Sequence, residues 1–223
     1  MKIVSLNVGR PRLYSHYGDT FSTGIFKQPV EGRVMLRRTN LDGDRQADLS
    51  VHGGPDKAVY GYPSEHYEYW QKELGVPALP WGAFGENFTT QGLLEKEVRV
   101  GDRYRVGTAT VMVKTPRLPC FKLAAKFQRD DMIERFLHSG RSGFYFSIIE
   151  EGEVGEGDEF EFRETATPTL SIFDTFAAYT SLDLELLQRA AAVTTLPESW
   201  RERFHARAHA IEKATIERKA AVR

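Results

Sequence analysis

The sequence predicts a mainly β protein of the α+β class, in which a β-barrel with short helices is followed by three helices. Over the first two-thirds of the chain, short alternating or apolar stretches are separated by turns that contain glycine. From about residue 168 onwards, helical spacing replaces this pattern. Many short strands with scattered helices favour a barrel over a parallel sheet. We therefore expect a barrel domain over residues 1–167 and a three-helix domain over residues 168–223.

The first predicted strand covers the N-terminus, where Val4, Leu6 and Val8 alternate onto one face. Glycine-bearing turns such as residues 155–158 bound many of the later strands. These strands are predicted at residues 30–36, 57–62, 98–105, 108–115, 145–149 and 159–163. The chain has 223 residues and 41% hydrophobic residues, which is enough for a substantial core.

Short helices are predicted between the strands, at residues 64–74, 121–127 and 130–137. Ser64 is the expected cap of the first of these helices. After a change of composition at residues 165–168, helices are predicted at residues 171–179, 183–192 and 198–221. Ser181 or Leu182 is expected to cap the second of this group.

The last predicted helix has one apolar face, formed by Trp200, Phe204, Ala208 and Ile211. This spacing is typical of core packing rather than of a cofactor site. The lysines and arginines of the same helix are interleaved with glutamates. We therefore expect a solvated face or a docking surface for a protein partner, and no nucleic-acid binding.

The net charge of −1 provides no overall field that would attract nucleic acid or anionic lipid. The N-terminus lacks the apolar centre of a signal peptide, and no segment approaches the length of a membrane span. A single cysteine fits a reducing compartment. These features predict a cytoplasmic protein without a membrane partner.

Cys120 is the only cysteine of the chain, which excludes an intrachain disulfide and a four-cysteine zinc or iron–sulfur site. It stands between a predicted strand and a predicted helix, with Arg117 and Lys122 nearby. A thiol in this setting is expected to have a lowered pKa, which favours the thiolate that acts as nucleophile or soft metal ligand. The alternative is a small buried apolar residue, and the segment alone favours that interpretation.

Three further loops carry candidate binding groups. Residues 52–57 (HGGPDK) combine two glycines with Lys57, which suits either a phosphate cradle or a simple tight turn. Glu86 and Asn87 follow a glycine and could read the edge of a heterocycle or bond their own loop. Arg141 lies in a glycine-rich loop, where its guanidinium could bind an anion with two hydrogen bonds or simply be solvated.

Histidine-based metal sites are not supported by the spacing. Asp48 and His52 are four residues apart, but the glycines that follow oppose a helix there. His205 and His209 share a helix face, yet the neighbouring arginines disfavour a cation. A dinucleotide fingerprint and a Gly-x-Ser-x-Gly motif are also missing from the sequence.

Taken together, six segments resemble the MOSC family, the domain named after the C-terminal part of molybdenum-cofactor sulfurase, and especially its YiiM-like branch. They follow one another in order over about residues 25 to 165. The segments are residues 27–32, 43–44 with 46–48, 52–60, 82–88, 116–123 and 140–143. The trailing helices resemble the three-helix appendage of that branch.

This resemblance implies a MOSC β-barrel that binds a molybdopterin-type molybdenum cofactor, with Cys120 as the catalytic residue and metal ligand. It further implies cationic and N–H donors for the phosphate, and amide or carboxylate partners for the pterin. His52 could contact the cofactor or orient a loop. The candidate cofactor-binding residues are Lys27, His52, Gly53, Gly54, Lys57, Gly85, Glu86, Asn87, Arg117, Arg141 and Gly143.

The leading hypothesis for the activity is reductive removal of oxygen from N-hydroxylated compounds, such as hydroxylaminopurine-type base analogues. Because the chain has neither cluster cysteines nor a dinucleotide motif, a separate reductase must donate the electrons. One alternative is a sulfur carrier with a persulfide on Cys120. Another is a non-catalytic interaction module built on the C-terminal helices. The sequence leaves the physiological substrate and the choice between monomer and homodimer open.

Overall fold

The computed structural model describes residues 1–48 and 53–221, and it confirms the mixed α+β class. The strands are β1 Lys2–Val8, β2 Arg12–His16, β3 Asp19–Thr23, β4 Gln28–Pro29, β5 Arg33–Leu36, β6 Val59–Pro63, β7 Phe88–Gln91, β8 Arg103–Val106, β9 Ala109–Pro116, β10 Phe144–Glu150, β11 Gly152–Gly155 and β12 Phe160–Glu164. The helices are α1 His66–Leu74, α2 Phe121–Phe127, α3 Met132–Ser139, α4 Ile172–Thr180, α5 Leu184–Ala191 and α6 Glu198–Ala221. A 3₁₀ turn covers Pro55–Lys57.

Eight strands curl into a half-barrel in the order β12-β8-β9-β10-β6-β7-β1-β4. Neighbouring strands are antiparallel except for β6 and β7, which run parallel. The parallel pair requires a crossover, and α1 lies within it. In the pairing of β10 with β6, Tyr145 is the direct partner of Tyr60. This register places two tyrosines at the end of the barrel where the candidate site lies.

A hairpin of β2 and β3 stands apart from the main sheet and is missing from the sequence-based prediction. Its tip has two residues with positive φ, Tyr17 at 50° and Gly18 at 89°. The hydroxyl of Tyr14 donates a hydrogen bond to the carbonyl of Ala125 at 3.3 Å, so the hairpin packs against α2. The ring of Phe21 in β3 also lies 4.9 Å from the ring of Phe121, the first residue of α2.

The interior of the barrel is filled by aromatic and aliphatic side chains. Phe88, Phe146 and Phe160 are almost completely buried, and the rings of Phe146 and Phe160 stack with centroids 5.9 Å apart. On β1, Ile3 and Leu6 both belong to this buried cluster, and a register shift between Ile3 and Ser5 interrupts the simple alternation of the strand. Burial on this scale is the main favourable term for folding.

A second cluster of buried aromatic residues lies between α1, α3 and the loop before β7. The indole of Trp70 donates to the hydroxyl of Tyr62 at 2.6 Å, and the Tyr62 ring stacks on Phe84 at 4.5 Å. Phe136 of α3 closes the cluster from the other side. The buried N–H of Trp70 and O–H of Tyr62 thus form a hydrogen bond inside the cluster, as the polar groups of buried aromatic side chains usually do.

The C-terminal helices pack on the barrel through one continuous apolar core. Leu170, Leu187 and Phe204 belong to the same buried cluster as Phe146 and Ile3. The predicted packing face of α6 is confirmed, because Phe204 and Ala208 are buried while Trp200 and Ile211 pack against the cluster. The domain boundary after residue 167 stays a prediction. In the described part of the chain, we find no helix with the length and apolarity needed to cross a bilayer.

The helix starts differ in detail from the predicted caps. Helix α1 has Glu65 at its N-cap without a side-chain cap bond, so the prediction that Ser64 caps it is wrong. The backbone carbonyl of Ser64 instead accepts from the amide of Tyr67 at 3.0 Å. Helix α5 is capped by the carboxylate of Asp183, which accepts from the amide of Leu186 at 3.1 Å. A carboxylate is a strong cap, so Asp183 takes the position expected of Ser181 or Leu182.

We expect Phe204→Ala to lower the free energy of unfolding by about 3–5 kcal/mol, because the ring is fully buried where α6 meets the shared core. Ile216→Ala on the same helix is the matched control, since Ile216 is 67% exposed. Its effect should stay within about 0.5 kcal/mol. Urea denaturation of both variants measures the difference. Equal losses would show that α6 is not anchored through Phe204.

Candidate functional site

A cavity of about 100 Å³ opens between the chain that leaves the hairpin and the loop before α2. Its walls come from segments 23–27, 45–47, 53–57, 85–87 and 117–122, together with Tyr60 and Tyr145. A concave space with polar groups converging from several segments is the usual setting of a small-molecule or cofactor site. Seven of the predicted site residues line it: Lys27, Gly53, Lys57, Gly85, Asn87, Arg117 and Cys120.

The walls of this cavity are strongly cationic. Among the described lining residues, five carry a positive side chain and none is an aspartate or glutamate. The cations are Lys27, Arg45, Lys57, Arg117 and Lys122. Walls that carry one sign of charge and face a partly enclosed space focus the field on a bound ion of opposite sign. The cavity therefore suits an anionic ligand.

Cys120 lies on the cavity wall at the N-cap of α2, with extended backbone angles of φ −131° and ψ 169°. Its side chain is partly exposed, unlike the buried apolar cysteine that the segment alone favours. Its carbonyl accepts the amide of Leu123 at 2.9 Å and begins the helix. The thiol is thus accessible from the cavity and attached to regular structure on both sides.

Arg117 is a buried cation next to Cys120. Its guanidinium donates to the carbonyl of Phe84 at 2.5 Å and lies 4.7 Å from the centre of the Tyr60 ring. Burial works to lower the pKa of Arg117, but the nearby Tyr60, Tyr145 and Cys120 groups hold it above its ordinary value. Arg117 therefore keeps its positive charge beside the thiol at every physiological pH.

Tyr145 shares this part of the cavity and stays a neutral phenol. Burial raises the pKa of its hydroxyl, and Arg117 offsets only part of that effect. The hydroxyl of Tyr60 also has a raised pKa because of burial, and it donates to the carbonyl of Ser142 at 2.8 Å. Both rings remain uncharged in the folded protein. Tyr145 adds an O–H donor next to a set of cations.

Lys27 and Asp44 form a buried ion pair at the cavity wall, with Nζ and Oδ1 2.5 Å apart. Asp44 Oδ1 also accepts from the amide of Gly9 at 2.7 Å. Desolvation lowers the pKa of Lys27, and the attraction of Asp44 offsets part of this decrease. Lys27 therefore loses its proton more readily than an ordinary exposed lysine, and Asp44 offsets part of its positive charge towards a ligand.

Asn87 lines the cavity, but its side-chain amide makes hydrogen bonds to the backbone of the fold. Its Oδ1 accepts from the amide of Tyr60 and its Nδ2 donates to the carbonyl of Asn7, both at 3.2 Å. Gly85 lies next to it with a φ of +81°, and a Cβ at this glycine would be 2.7 Å from Ile25. Glycine is therefore needed at position 85 for the two walls to approach.

Glu86 does not reach the cavity, although the sequence made it a candidate for the pterin edge. Its carboxylate is fully buried and accepts from the amides of Gly82 and Phe84 and from the hydroxyl of Thr89 at 2.8 to 3.0 Å. The hydroxyl of Tyr67 donates to the same carboxylate. The Glu86 carboxylate accepts four hydrogen bonds from the protein itself, so it holds the loop in place rather than facing a ligand.

The other candidates lie away from the cavity wall. Arg141 stacks on Tyr69, with its guanidinium carbon 3.6 Å from the ring centre. Gly143 lies behind Arg117, whose amide donates to its carbonyl at 3.3 Å. Gly54 has a φ of +84° and begins the 3₁₀ turn beside the lining residue Gly53. His52 lies outside the described residues.

Sequence reasoning missed several residues of the wall, above all Arg45, Tyr60, Lys122 and Tyr145. Tyr60 lies inside and Arg45 lies between the stretches that resemble the MOSC family, and Lys122 is two residues from Cys120. These positions could have been included on that basis. Tyr145 gave no such signal, because only the pairing of β10 with β6 brings it to Tyr60.

The MOSC domain model matches residues 48–161, which contain most of the half-barrel and the Cys120 loop. The chain belongs to the MOSC family. YflK of Bacillus subtilis is 42% identical over 204 residues, covering 91% of this chain and 92% of that protein. The crystal structure of YiiM from Geobacillus stearothermophilus is 36% identical with a TM-score of 0.77, covering 93% of this chain and 98% of that one.

A protein of Gibberella moniliformis named reductase is 33% identical over 162 residues, which are 70% of this chain and 28% of that protein. With YflK and YiiM, it adds to the relatives of this chain a protein that bears the name reductase. The resemblance that the sequence indicated is therefore confirmed.

A second lysine beneath the cavity, Lys126, has a pKa lowered to about 7 by desolvation. Its ammonium donates to the carbonyls of Ile25 and Gly82 at 3.0 and 2.7 Å. A neutral amine can still donate to both carbonyls. In the unfolded chain this lysine stays protonated up to its ordinary pKa, so the unfolded state holds more protons between about pH 7 and pH 10.

We therefore expect the unfolding free energy of the wild type to rise, relative to Lys126→Met, as pH increases from 7 to 9. The slope of this difference should be at most about 1.4 kcal/mol per pH unit, the limit for one proton. Urea denaturation at several pH values measures it, with exposed Lys72→Met as the control. Parallel pH profiles for the wild type and Lys126→Met would contradict the burial of this charge.

Proposed function

We propose that the cavity binds the molybdenum cofactor and that the protein is a molybdenum-dependent reductase of N-hydroxylated compounds. Hydroxylaminopurine-type base analogues are the substrates we put forward, with electrons from a separate reductase. The proposal rests on one observation: the only cysteine of the sequence and five cationic side chains line the same cavity. Membership of the MOSC family and the fungal relative named reductase support the oxidoreductase class.

The lining residues fit the chemistry of this cofactor. Its phosphate needs positive charge and donors, which Arg45, Lys57 and Lys122 offer at the cavity wall. Its molybdenum, already held by pterin sulfurs, is a soft centre that a thiolate such as Cys120 suits. When bound, the cofactor supplies the two-electron chemistry, and the chain supplies binding, orientation and electrostatics.

The residues around Cys120 each have a separate task in this proposal. Arg117 keeps a permanent positive charge beside the thiol and favours its thiolate form. Tyr145 offers a neutral O–H donor towards the ligand. Because Arg117 is buried and Tyr145 is partly buried against the second aromatic cluster, packing holds both groups in place before any ligand binds.

The first test is metal analysis of protein made in a host that synthesises the cofactor in molybdenum-rich medium. We expect near-stoichiometric molybdenum and pterin in the wild type and at least a tenfold lower molybdenum content in Cys120→Ser, because an alcohol is a poor ligand for a soft metal. Lys72→Gln, an exposed site outside the cavity, should load like the wild type. Folding of the variants is compared by circular dichroism.

Molybdenum missing from both the wild type and Cys120→Ser in a competent host would overturn the proposal. The sulfur-carrier hypothesis then becomes the leading one. Its signature is sulfur on Cys120 that cyanide releases, without molybdenum.

The loaded protein should reduce an N-hydroxylated base with a chemical electron donor such as reduced methyl viologen, and should not turn over with NADPH alone. The chain contains a single cysteine and no dinucleotide fingerprint, so it has no route for accepting hydride from a nicotinamide. Product analysis of the two reactions in parallel measures this. Sustained turnover with NADPH as sole reductant would contradict the need for a separate reductase.

A further inference from the structure

The buried pair of Lys27 and Asp44 connects two separate spaces. Lys27 is part of the wall of the main cavity. Asp44 belongs to the wall of a different groove of about 420 Å³, together with Arg10, Gly43 and Arg45, although Asp44 itself has no exposed surface. Since the two side chains are 2.5 Å apart, one hydrogen bond joins the groove to the cavity.

The carboxylate of Asp44 has room for a further bond. Its Oδ1 accepts from Lys27 and from the amide of Gly9, whereas its Oδ2 is buried and has no hydrogen-bond partner among the described residues. A buried carboxylate oxygen of this kind is costly unless water or another donor reaches it.

The stem of Lys27 is held against the loop before β7. Gly82 has a φ of +80°, and a Cβ at this position would be 3.2 Å from the Cβ of Lys27. The charged groups that act on the Lys27 ammonium are Asp44, Glu86, Arg117 and Lys126. Desolvation dominates over these charges and lowers the pKa of Lys27, so its proton is released more readily than that of an exposed lysine.

We infer that Lys27 donates a proton to the substrate in the cavity and that Asp44 holds its ammonium in position for this transfer. The inference rests on the proposed function. Reduction of a hydroxylamine follows R–NH–OH + 2 e⁻ + 2 H⁺ → R–NH₂ + H₂O. The N–O bond breaks, the separate reductase supplies both electrons, and the oxygen leaves as water. Lys27 supplies one of the two protons, solvent supplies the other and then reprotonates Lys27, and Asp44 is a positioning residue.

The test uses cofactor-loaded Lys27→Met and Lys27→Ala with a chemical electron donor, with molybdenum content measured for each variant. General acid catalysis is worth about 10²–10⁴-fold, so we expect kcat to fall at least 100-fold at unchanged molybdenum content, with a smaller change in KM. Added ethylammonium should restore part of the activity of Lys27→Ala, because it can occupy the vacated volume and carry the proton.

Lys122→Met is the matched control for the loss of one positive charge from the cavity wall. Its defect should lie in molybdenum content or in KM and should not respond to ethylammonium. A kcat of Lys27→Met within threefold of the wild type would overturn the inference. So would a loss of activity that follows the molybdenum content and resists rescue, since that result assigns Lys27 to cofactor binding.

A second measurement does not depend on activity. In cofactor-free protein, ¹⁵N NMR should show the Lys27 amine titrating below the ordinary pKa of lysine, and lower still in Asp44→Asn, where the offsetting charge is gone. In the loaded enzyme, the same variant should move the alkaline limb of the kcat profile to lower pH. If the pKa of Lys27 is unchanged in Asp44→Asn, the two groups are not coupled and the inference is overturned. If the wild type cannot reduce N-hydroxylated compounds, the proposed function fails, and the NMR result alone decides whether the two groups are coupled.

Discussion

The cavity depends on a carboxylate that never touches it. Glu86 is buried and gathers four donors, from α1, from β7 and from the turn between them. These bonds fix Phe84, whose carbonyl holds the guanidinium of Arg117 next to Cys120. A buried charge is stable only when its hydrogen bonds are complete, so the sequence around Glu86 is constrained by this one group. The position of the cation beside the thiol follows from that constraint.

The same design explains how the protein keeps positive charge available inside a small space. Arg117 is held by the backbone carbonyl of Phe84 rather than by a carboxylate. A carbonyl orients a cation without neutralising it, so the field of Arg117 still acts on a ligand. Lys27 is the exception, because Asp44 pairs with it directly. That difference separates a group suited to proton exchange from groups suited to holding an anion.

Much of this structure follows from local sequence patterns. The bounds of α2 and α6 agree with the prediction because capping, periodicity and length point in the same direction. Cys120 was identifiable because it has no second cysteine to pair with. By contrast, the role of Glu86 depends on donors at positions 67, 82, 84 and 89 that meet only in the folded chain. The β2–β3 hairpin was missed because its turn, with Tyr17 at positive φ, lacks the usual signature.

The half-barrel and the C-terminal helices share one core, so the stability of the helices depends on whether a ligand occupies the cavity. Phe204 and Leu187 belong to the same buried cluster as Phe146, yet the described lining residues of the cavity all precede residue 146. A ligand that binds only the folded chain adds about 2.7 kcal/mol of stability at a concentration 100 times its Kd. Because elements that share a core melt together, this protection extends to helices that make no contact with the ligand. Thermal resistance of the C-terminal helices thus reports on occupancy of a distant site.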